Sequence, residues 1–452
     1  MKYEFYQPRF SEGVLAKSLQ GRSSEEFYSY GMKGAKNMLP ILSGPVVKRP
    51  GTNYIGELKD SSAILIPFFK DKNNTYVLEV GQTHATDASG GYLRLWSQDQ
   101  LLKNKAGTPA TYEVTLSSTV AWTRAQLATL KYTQSGDYIF VCCPTKVPQI
   151  IKRVIDTTAT GTGVAADDSV WTVYEYVMKD GPYKEINVYS EDAASTDKYS
   201  LYIAEPTNKE EIAGVEFNTV TNQIVLANHG LQTGMKIRLD DDSSSDGWGN
   251  ITSDGSTTLT DNDYYVVSTT ATTFQISSTD SGSPLEFQLA DNETSADADV
   301  KVYRYVYPAS ESGIVFTLYK DGAVSDDLFS DNDVGRMIRI NPLAKPLTRI
   351  GGIRWCWGII TAQGTNTVTV KLKTEMANIR GGTPSGSNKK AGTPDFRLGA
   401  FSIGEGFPSV AQIYQQRMVL GATSIQPSTV WLSRTANFYD FAPTDIPAQD
   451  SP

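Results

Sequence analysis

The sequence predicts a mainly β protein, and three observations carry that expectation. More than a dozen short apolar or alternating segments are bounded by polar turns, aromatic residues make up 10% with 24 Tyr, and one segment alone has the signature of a helix. The chain has 452 residues with 40% hydrophobic and 20% charged content. That is ordinary globular composition, long enough for about three domains at ~150 residues each. No run approaches the ~18 apolar residues of a membrane helix, so no membrane insertion is expected. Met1–Phe5 has no basic segment followed by an apolar run, which makes cytoplasmic synthesis the expectation.

In chain order, the helix signature comes first. Ser23-Ser24-Glu25-Glu26 reads as a capping box, and Phe27, Gly31, Gly34 and Met38 follow at spacings of three and four. This predicts about four turns ending at Leu39-Pro40, with the two glycines allowing close approach of a neighbour. Ile64–Phe69 and Tyr138–Cys143 are continuous apolar runs, expected as strands buried on both faces, and Tyr76–Val80 is similar. Val173–Met178 and Tyr183–Tyr189 flank Lys179-Asp180-Gly181 and predict a hairpin about an Asp-Gly turn. Thr367–Lys373 alternates strictly and predicts a half-exposed strand.

Composition shifts near residue 206. Residues 206 to about 300 are rich in Asp, Ser and Thr and lie between aromatic strands at Tyr199–Ile203 and Val302–Tyr307, the pattern of an inserted module. Residues 381–394 read as an exposed, flexible loop. No fixed-period repeat is present.

Chemistry-bearing patterns are sparse. The two histidines, His84 and His229, have no second His nearby and no nucleophile elbow or reactive-Cys signature beside them. Phosphate-binding glycine loops and His-Glu-x-x-His or Cys-x-x-Cys metal motifs are missing from the sequence. Cys142-Cys143 and Cys356 are too few for a disulfide framework and are expected as reduced, buried residues. Asp242, Ser244, Asp246 and Gly247 mimic the start of a calcium loop, but its twelfth position is Ser253, so a solvated turn is favoured. Fifty acidic residues leave paired-carboxylate glycoside chemistry open. Trp96, Trp122, Trp171, Trp248, Trp355 and Trp357 fit stacking on sugars or core packing, with packing favoured for Trp355 and Trp357. With 41 basic and 50 acidic residues, the net charge of -9 argues against tight phosphate binding. No catalytic, cofactor-binding or metal-ligating residue is assigned, and no cofactor is expected.

A set of short words, in order, carries a resemblance. Phe10–Leu15, Gly21-Arg22, Tyr30-Gly31, Asn37, Arg49-Pro50-Gly51-Thr52, Leu65–Phe68 and Tyr76–Gly81 come first, then Gln134–Val141, Val147-Pro148 and Lys152-Arg153. Phe407-Pro408-Ser409, Gln415–Val419, Gln426–Trp431 and Ser433 follow near the end. The chain resembles the nozzle proteins, also called tail tubular protein B, of short-tailed (podovirus-type) phages. Ala227–Ile237, Tyr264–Val267 and Thr272–Ile276 resemble the small β-barrel module first described as the catalytic-cysteine half-domain of ubiquitin-activating enzymes. The stretch has no cysteine, so no thioester chemistry comes with it. There His229-Gly230 is expected as a turn and Gly234 at positive φ.

The resemblance implies a propeller-like or multi-sheet β body with one N-terminal helix and an inserted small β-barrel domain. Its expected parts are 1–205 as the start of the body, 206–300 as the barrel module, 301–400 as a sandwich-like or platform segment carrying loop 381–394, and 401–452 as a return to the body. Relatives usually continue beyond the point reached at Pro452. The implied function is a non-enzymatic virion protein of the phage tail, a conduit for genome ejection. Implied partners are further copies in a six-fold ring, the adaptor below the portal, tail fibres or spikes, and genomic DNA passing without specific binding. The alternative is a receptor-binding or glycan-cleaving tail fibre or spike protein.

Overall fold

The computed structural model describes residues 6–82, 90–107, 110–161, 163–184, 199–203, 208–227, 229–231, 233–241, 251–253, 257–279, 282–289, 295–320, 323–325, 328–341, 355–377, 393 and 395–442. Its contacts divide the chain into two units, Met1–Leu58 with Gln98–Leu101, and Lys59–Ser97 with Leu102–Pro452. The protein is mainly β, as the sequence predicts.

The first unit is built from short pieces. Gly13–Val14 pairs in parallel with Gly31–Met32, and Met38–Pro40 pairs antiparallel with Val46–Lys48. The turn of that hairpin is closed by Gly44 N–H donating to the Ile41 carbonyl at 2.8 Å and Ile41 N–H donating to the Pro45 carbonyl at 2.9 Å. Gly44 sits at φ +113°, a conformation open to glycine at little cost. Only Gly31 and Gly44 are buried among the unit's described residues.

The four-turn helix expected from Ser23 is replaced by a 3-10 helix, Glu26–Tyr30, after which the chain extends at Gly31. Two interior glycines would cost an α-helix about 2 kcal/mol, and Tyr28, Ser29 and Tyr30 add little propensity to offset it. The capping residue is Glu25, which makes no side-chain cap bond. Gly31 does meet a neighbour closely, since a Cβ there would run into the Leu15 side chain, whereas Gly34 faces open space. Among the described residues the one α-helix is Arg124–Leu127, opened by a capping box between Thr123 and Gln126.

In the second unit, strands Ile64–Phe69, Thr75–Gln82, Gly90–Ser97 and Glu113–Ser117 form one antiparallel sheet. Lys131–Ser135, Tyr138–Cys143, Lys146–Ile155 and Ser169–Glu175 form a four-stranded meander. Phe68, Tyr76 and Trp171 join the two sheets edge-to-face, with ring centroids 5.0 to 5.9 Å apart. The meander's other face, through Phe140, Cys142 and Ile150, meets Ala411, Met418 and Leu420 of the three-stranded sheet Val410–Tyr414, Arg417–Gly421, Val430–Leu432. Tyr138–Cys143 is therefore covered on both faces, which is why its sequence is apolar throughout. Ile64–Phe69 departs from the same expectation. Its burial alternates, and Leu65 (50% exposed) and Phe69 (64%) face outward.

Most of the second strand of the hairpin expected across Asp180-Gly181, residues 185–189, lies outside the described residues, and the described part pairs at a distance. Ser169–Glu175 pairs only with Lys146–Ile155 among the strands described, Asp180 bridges Asp440, and Tyr183 bridges Gly399. An Asp-Gly signal is local, and here partners more than 200 residues away supply the hydrogen bonds.

Tyr199–Ile203, Ile314–Lys320, Thr367–Leu372, Cys356–Gln363, Met337–Ile340 and Phe396–Leu398 follow one another across a half-barrel sheet. Its concave core holds Phe316, Ile338, Cys356 and Val370. Thr367–Leu372 is half-exposed, as its alternation predicts. The loop expected at 381–394 lies outside the described residues except at Thr393. That residue is fully buried rather than exposed, and its backbone exchanges two 2.8 Å hydrogen bonds with Leu201.

A second curved sheet runs Lys209–Asn218, Gln223–Val225, Thr273–Ser277, Asn262–Thr269, Lys236–Asp241 and Ser295–Tyr307, and the last strand pairs with the first to close a barrel. Phe217, Ile237, Leu239, Phe274, Ile276 and Val302 fill its interior. Gly234 takes the positive φ expected of it (+88°), and Gly230 beside His229 is also at positive φ (+65°).

Candidate functional site

The residues singled out from sequence do not assemble into a reactive centre among the described residues. His84, Trp248, Asp242, Ser244, Asp246 and Gly247 lie outside those residues, and Ser253 ends the strand Ile251–Ser253. No group of three or more metal-ligating side chains occurs among the described residues. Cys142, Cys143 and Cys356 are free thiols and buried. Burial pushes the Cys142 and Cys356 thiols up to about 12. They are packing residues of low reactivity.

His229 has a structural role that its neighbours define. Its ring lies 5.2 Å from that of Phe274, Nδ1 accepts from Leu231 N–H at 3.0 Å, and Nε2 lies 3.1 Å from the Thr270 carbonyl oxygen. The two partners together specify the neutral tautomer with the proton on Nε2. Burial lowers its pKa below the ordinary 6.5, against the opposing effect of the Thr270 and Thr273 backbone. Because the unfolded chain binds the proton first, this contribution is full above pH 6.5 and is lost as pH falls below it. We expect stability to fall between pH 7 and 5.5 by no more than about 1.4 kcal/mol per pH unit, read as a lower melting temperature. His229→Asn should flatten that part of the profile. An unchanged slope in the variant would assign the effect to other groups.

The tryptophans divide by environment. Trp122 and Trp171 are buried, and Trp96 Nε1 donates to Glu79 at 2.9 Å. Trp355 is half-buried, with the Arg339 and Arg397 guanidinium carbons 5.2 and 5.7 Å from its ring centroid. Trp431 packs edge-to-face on Phe401 at 4.9 Å.

What the fold does build is an apolar cleft of about 350 Å³ between the meander, the half-barrel and the segment around Phe401. Met178, Met337, Ile359, Phe401 and Phe407 line it, Val177 stands at it 63% exposed, and Glu175 is the one charged lining residue among the described residues. Gly181, Gly335 and Gly399 line it as well. At Gly181 (φ +71°) a Cβ would come within 2.6 Å of the Phe441 carbonyl oxygen, so no side chain can narrow the cleft there.

Two ion-pair clusters hold the walls. Arg336, 4% exposed, donates from Nε to the Gly399 carbonyl at 2.7 Å, from Nη1 to Asp333 at 2.5 Å and from Nη2 to Glu405 at 3.3 Å. Lys184 Nζ adds a 2.6 Å bond to the same Glu405 oxygen. Beside it, the Tyr183 hydroxyl donates to Asp180, and Arg339 Nε stands 4.0 Å from the other Asp180 oxygen. Burial raises the Asp180 carboxyl above its usual range, with Tyr183 and Arg339 pulling the other way. The lining is apolar with one carboxylate at the edge, which suits an aliphatic or aromatic side chain better than a polar substrate.

Sequence reasoning missed this cleft. Its lining residues run from Val147 to Phe407, and no local pattern links them. No protein-family model matches the chain. No curated protein matches it either.

Proposed function

We propose that the chain is a structural subunit of a short-tailed phage's tail nozzle, a non-enzymatic virion component that forms a conduit for genome ejection and an attachment point for other tail proteins. The observation that carries this reading is the first unit. Its described residues 6–58 bury only two glycines, while Tyr6, Met38, Leu42, Tyr54 and Ile55 are 83, 56, 92, 75 and 48% exposed. A chain that spends so many large apolar residues without a core of its own is built to complete itself against other subunits. The resemblance read from Phe10–Leu15 through Gln426–Trp431 supplies the kind of assembly: a homo-hexameric ring below the adaptor, bearing fibres or spikes, with DNA passing through. The net charge of -9 suits a passage that does not grip phosphate.

Immunogold electron microscopy of intact virions, with an antibody against the barrel at 209–307, tests the reading. Label along the tail shaft is the expected result. Label confined to fibre or spike tips, together with sugar release from host polysaccharide, would overturn it in favour of a receptor-binding enzyme.

A further inference from the structure

We propose that the hairpin Met38–Lys48 of one copy seats its tip, Ile41-Leu42, in the apolar cleft of a second copy of this chain. The inference rests on the assembly reading above and names the contact that would link neighbouring subunits.

The tip is an apolar knob. Leu42 is 92% exposed, and Met38, Leu39, Ile41 and Val47 are each at least 40% exposed, all on one eleven-residue hairpin. The turn that presents them is fixed by its own backbone bonds, and Phe10 N–H donates to the Gly44 carbonyl at 2.8 Å as a further brace. A preformed knob loses little entropy on docking.

The cleft is a socket of matching chemistry and size. A dry cavity of ~150 Å³ accepts one benzene-sized group, so about 350 Å³ has room for two aliphatic side chains. Met178, Met337 and Phe401 give it adaptable and aromatic walls.

Charge favours the same pairing. Residues 1–58 carry eight Lys and Arg against five Asp and Glu, whereas residues 59–452 carry 33 against 45. A net +3 segment is therefore drawn to the net -12 remainder of another copy. Lys48 ends the hairpin and Arg49 follows it, and Glu175 stands at the cleft. Knob and socket occupy different parts of the chain. Their contact is heterologous, the kind that repeats head to tail and closes into a ring when the rotation permits.

The test is disulfide trapping in the full chain. The native cysteines are buried, so Leu42→Cys and Val177→Cys introduced together are the exposed pair. Under mild oxidation we expect a ladder of covalent multimers. The control, Leu42→Cys with Val220→Cys, uses a barrel residue that is 72% exposed and should give none. Equal ladders, no ladder, or a single-chain loop in the test variant would each overturn the docking. Sedimentation of the wild-type chain separates the two proposals, because assembly without the ladder refutes the docking alone and absence of assembly refutes both. Leu42→Asp should weaken self-association at least about tenfold, as expected for loss of one buried Leu.

Discussion

Glu79→Ala is expected to destabilise the second unit by about 3–5 kcal/mol, the usual result of removing one member of a buried charged cluster. Glu79 is fully buried, on the central strand Thr75–Gln82. Its Oε1 accepts from the Lys59 backbone N–H at 2.7 Å and the Tyr92 hydroxyl at 2.9 Å, and its Oε2 from Trp96 Nε1 at 2.9 Å. Arg94 Nη1 is 3.5 Å away. Alanine would leave three donors and a cation without their acceptor, at about 1–3 kcal/mol for each donor that water cannot reach. Burial, and next the bond to Glu79, push the Tyr92 hydroxyl above its ordinary value, so the tyrosine stays a donor at any physiological pH. Glu79→Gln preserves the shape and one acceptor oxygen and should cost less than alanine. Urea unfolding followed by tryptophan fluorescence reads both variants. A loss below about 1 kcal/mol for Glu79→Ala would show that the carboxylate does not anchor this sheet.

The Glu79 cluster also shows what a sequence conveys and what it withholds. Thr367–Lys373 is readable as a strand because alternation and β-branching are local properties, and Tyr138–Cys143 as a doubly covered one because its apolar run is unbroken. Ile64–Phe69 has an equally unbroken run, yet one face is open. Covering a face depends on which sheet arrives later in the chain. The helix expected from Ser23 had a capping box and correct spacing, but Gly31 and Gly34 outweighed them. Beside the local turn signal at Asp180-Gly181, the described bridges of Asp180 and Tyr183 reach Asp440 and Gly399. The cleft is the extreme case. Its walls are tied by contacts from about 60 to more than 200 residues apart, such as Arg336 with Gly399 and Lys184 with Glu405, and the Asp333/Arg336 and Asp180/Tyr183 pairs are the local ones. The exposed apolar residues of 6–58 were visible as letters, but their lack of a core was not, because burial is a property of the folded chain.

Arg336 is where the largest remaining effect should lie, since one guanidinium ties three chain segments at the cleft wall. Its fork reaches the Gly399 carbonyl, Asp333 and Glu405, in three directions that a lysine ammonium cannot reproduce at once. Asp333 is 5% exposed, and its second carboxylate oxygen already takes the Ser330 N–H at 2.9 Å and hydroxyl at 3.1 Å. Arg336→Met would leave that carboxylate charged and buried, and we expect a loss of about 3–5 kcal/mol. Asp333→Asn removes the charge but keeps an acceptor for Ser330, so its cost should be smaller. The informative variant is the double. With no buried carboxylate left unpaired, Arg336→Met with Asp333→Asn should be less damaging than the two losses added together, by about 0.5–3 kcal/mol. Glu405 keeps its Lys184 partner in every variant and does not confound the comparison. Simple additivity in a urea double-mutant cycle would mean that Arg336 acts mainly through the Gly399 carbonyl, and that the wall of the cleft depends on a neutral hydrogen bond rather than on the ion pair.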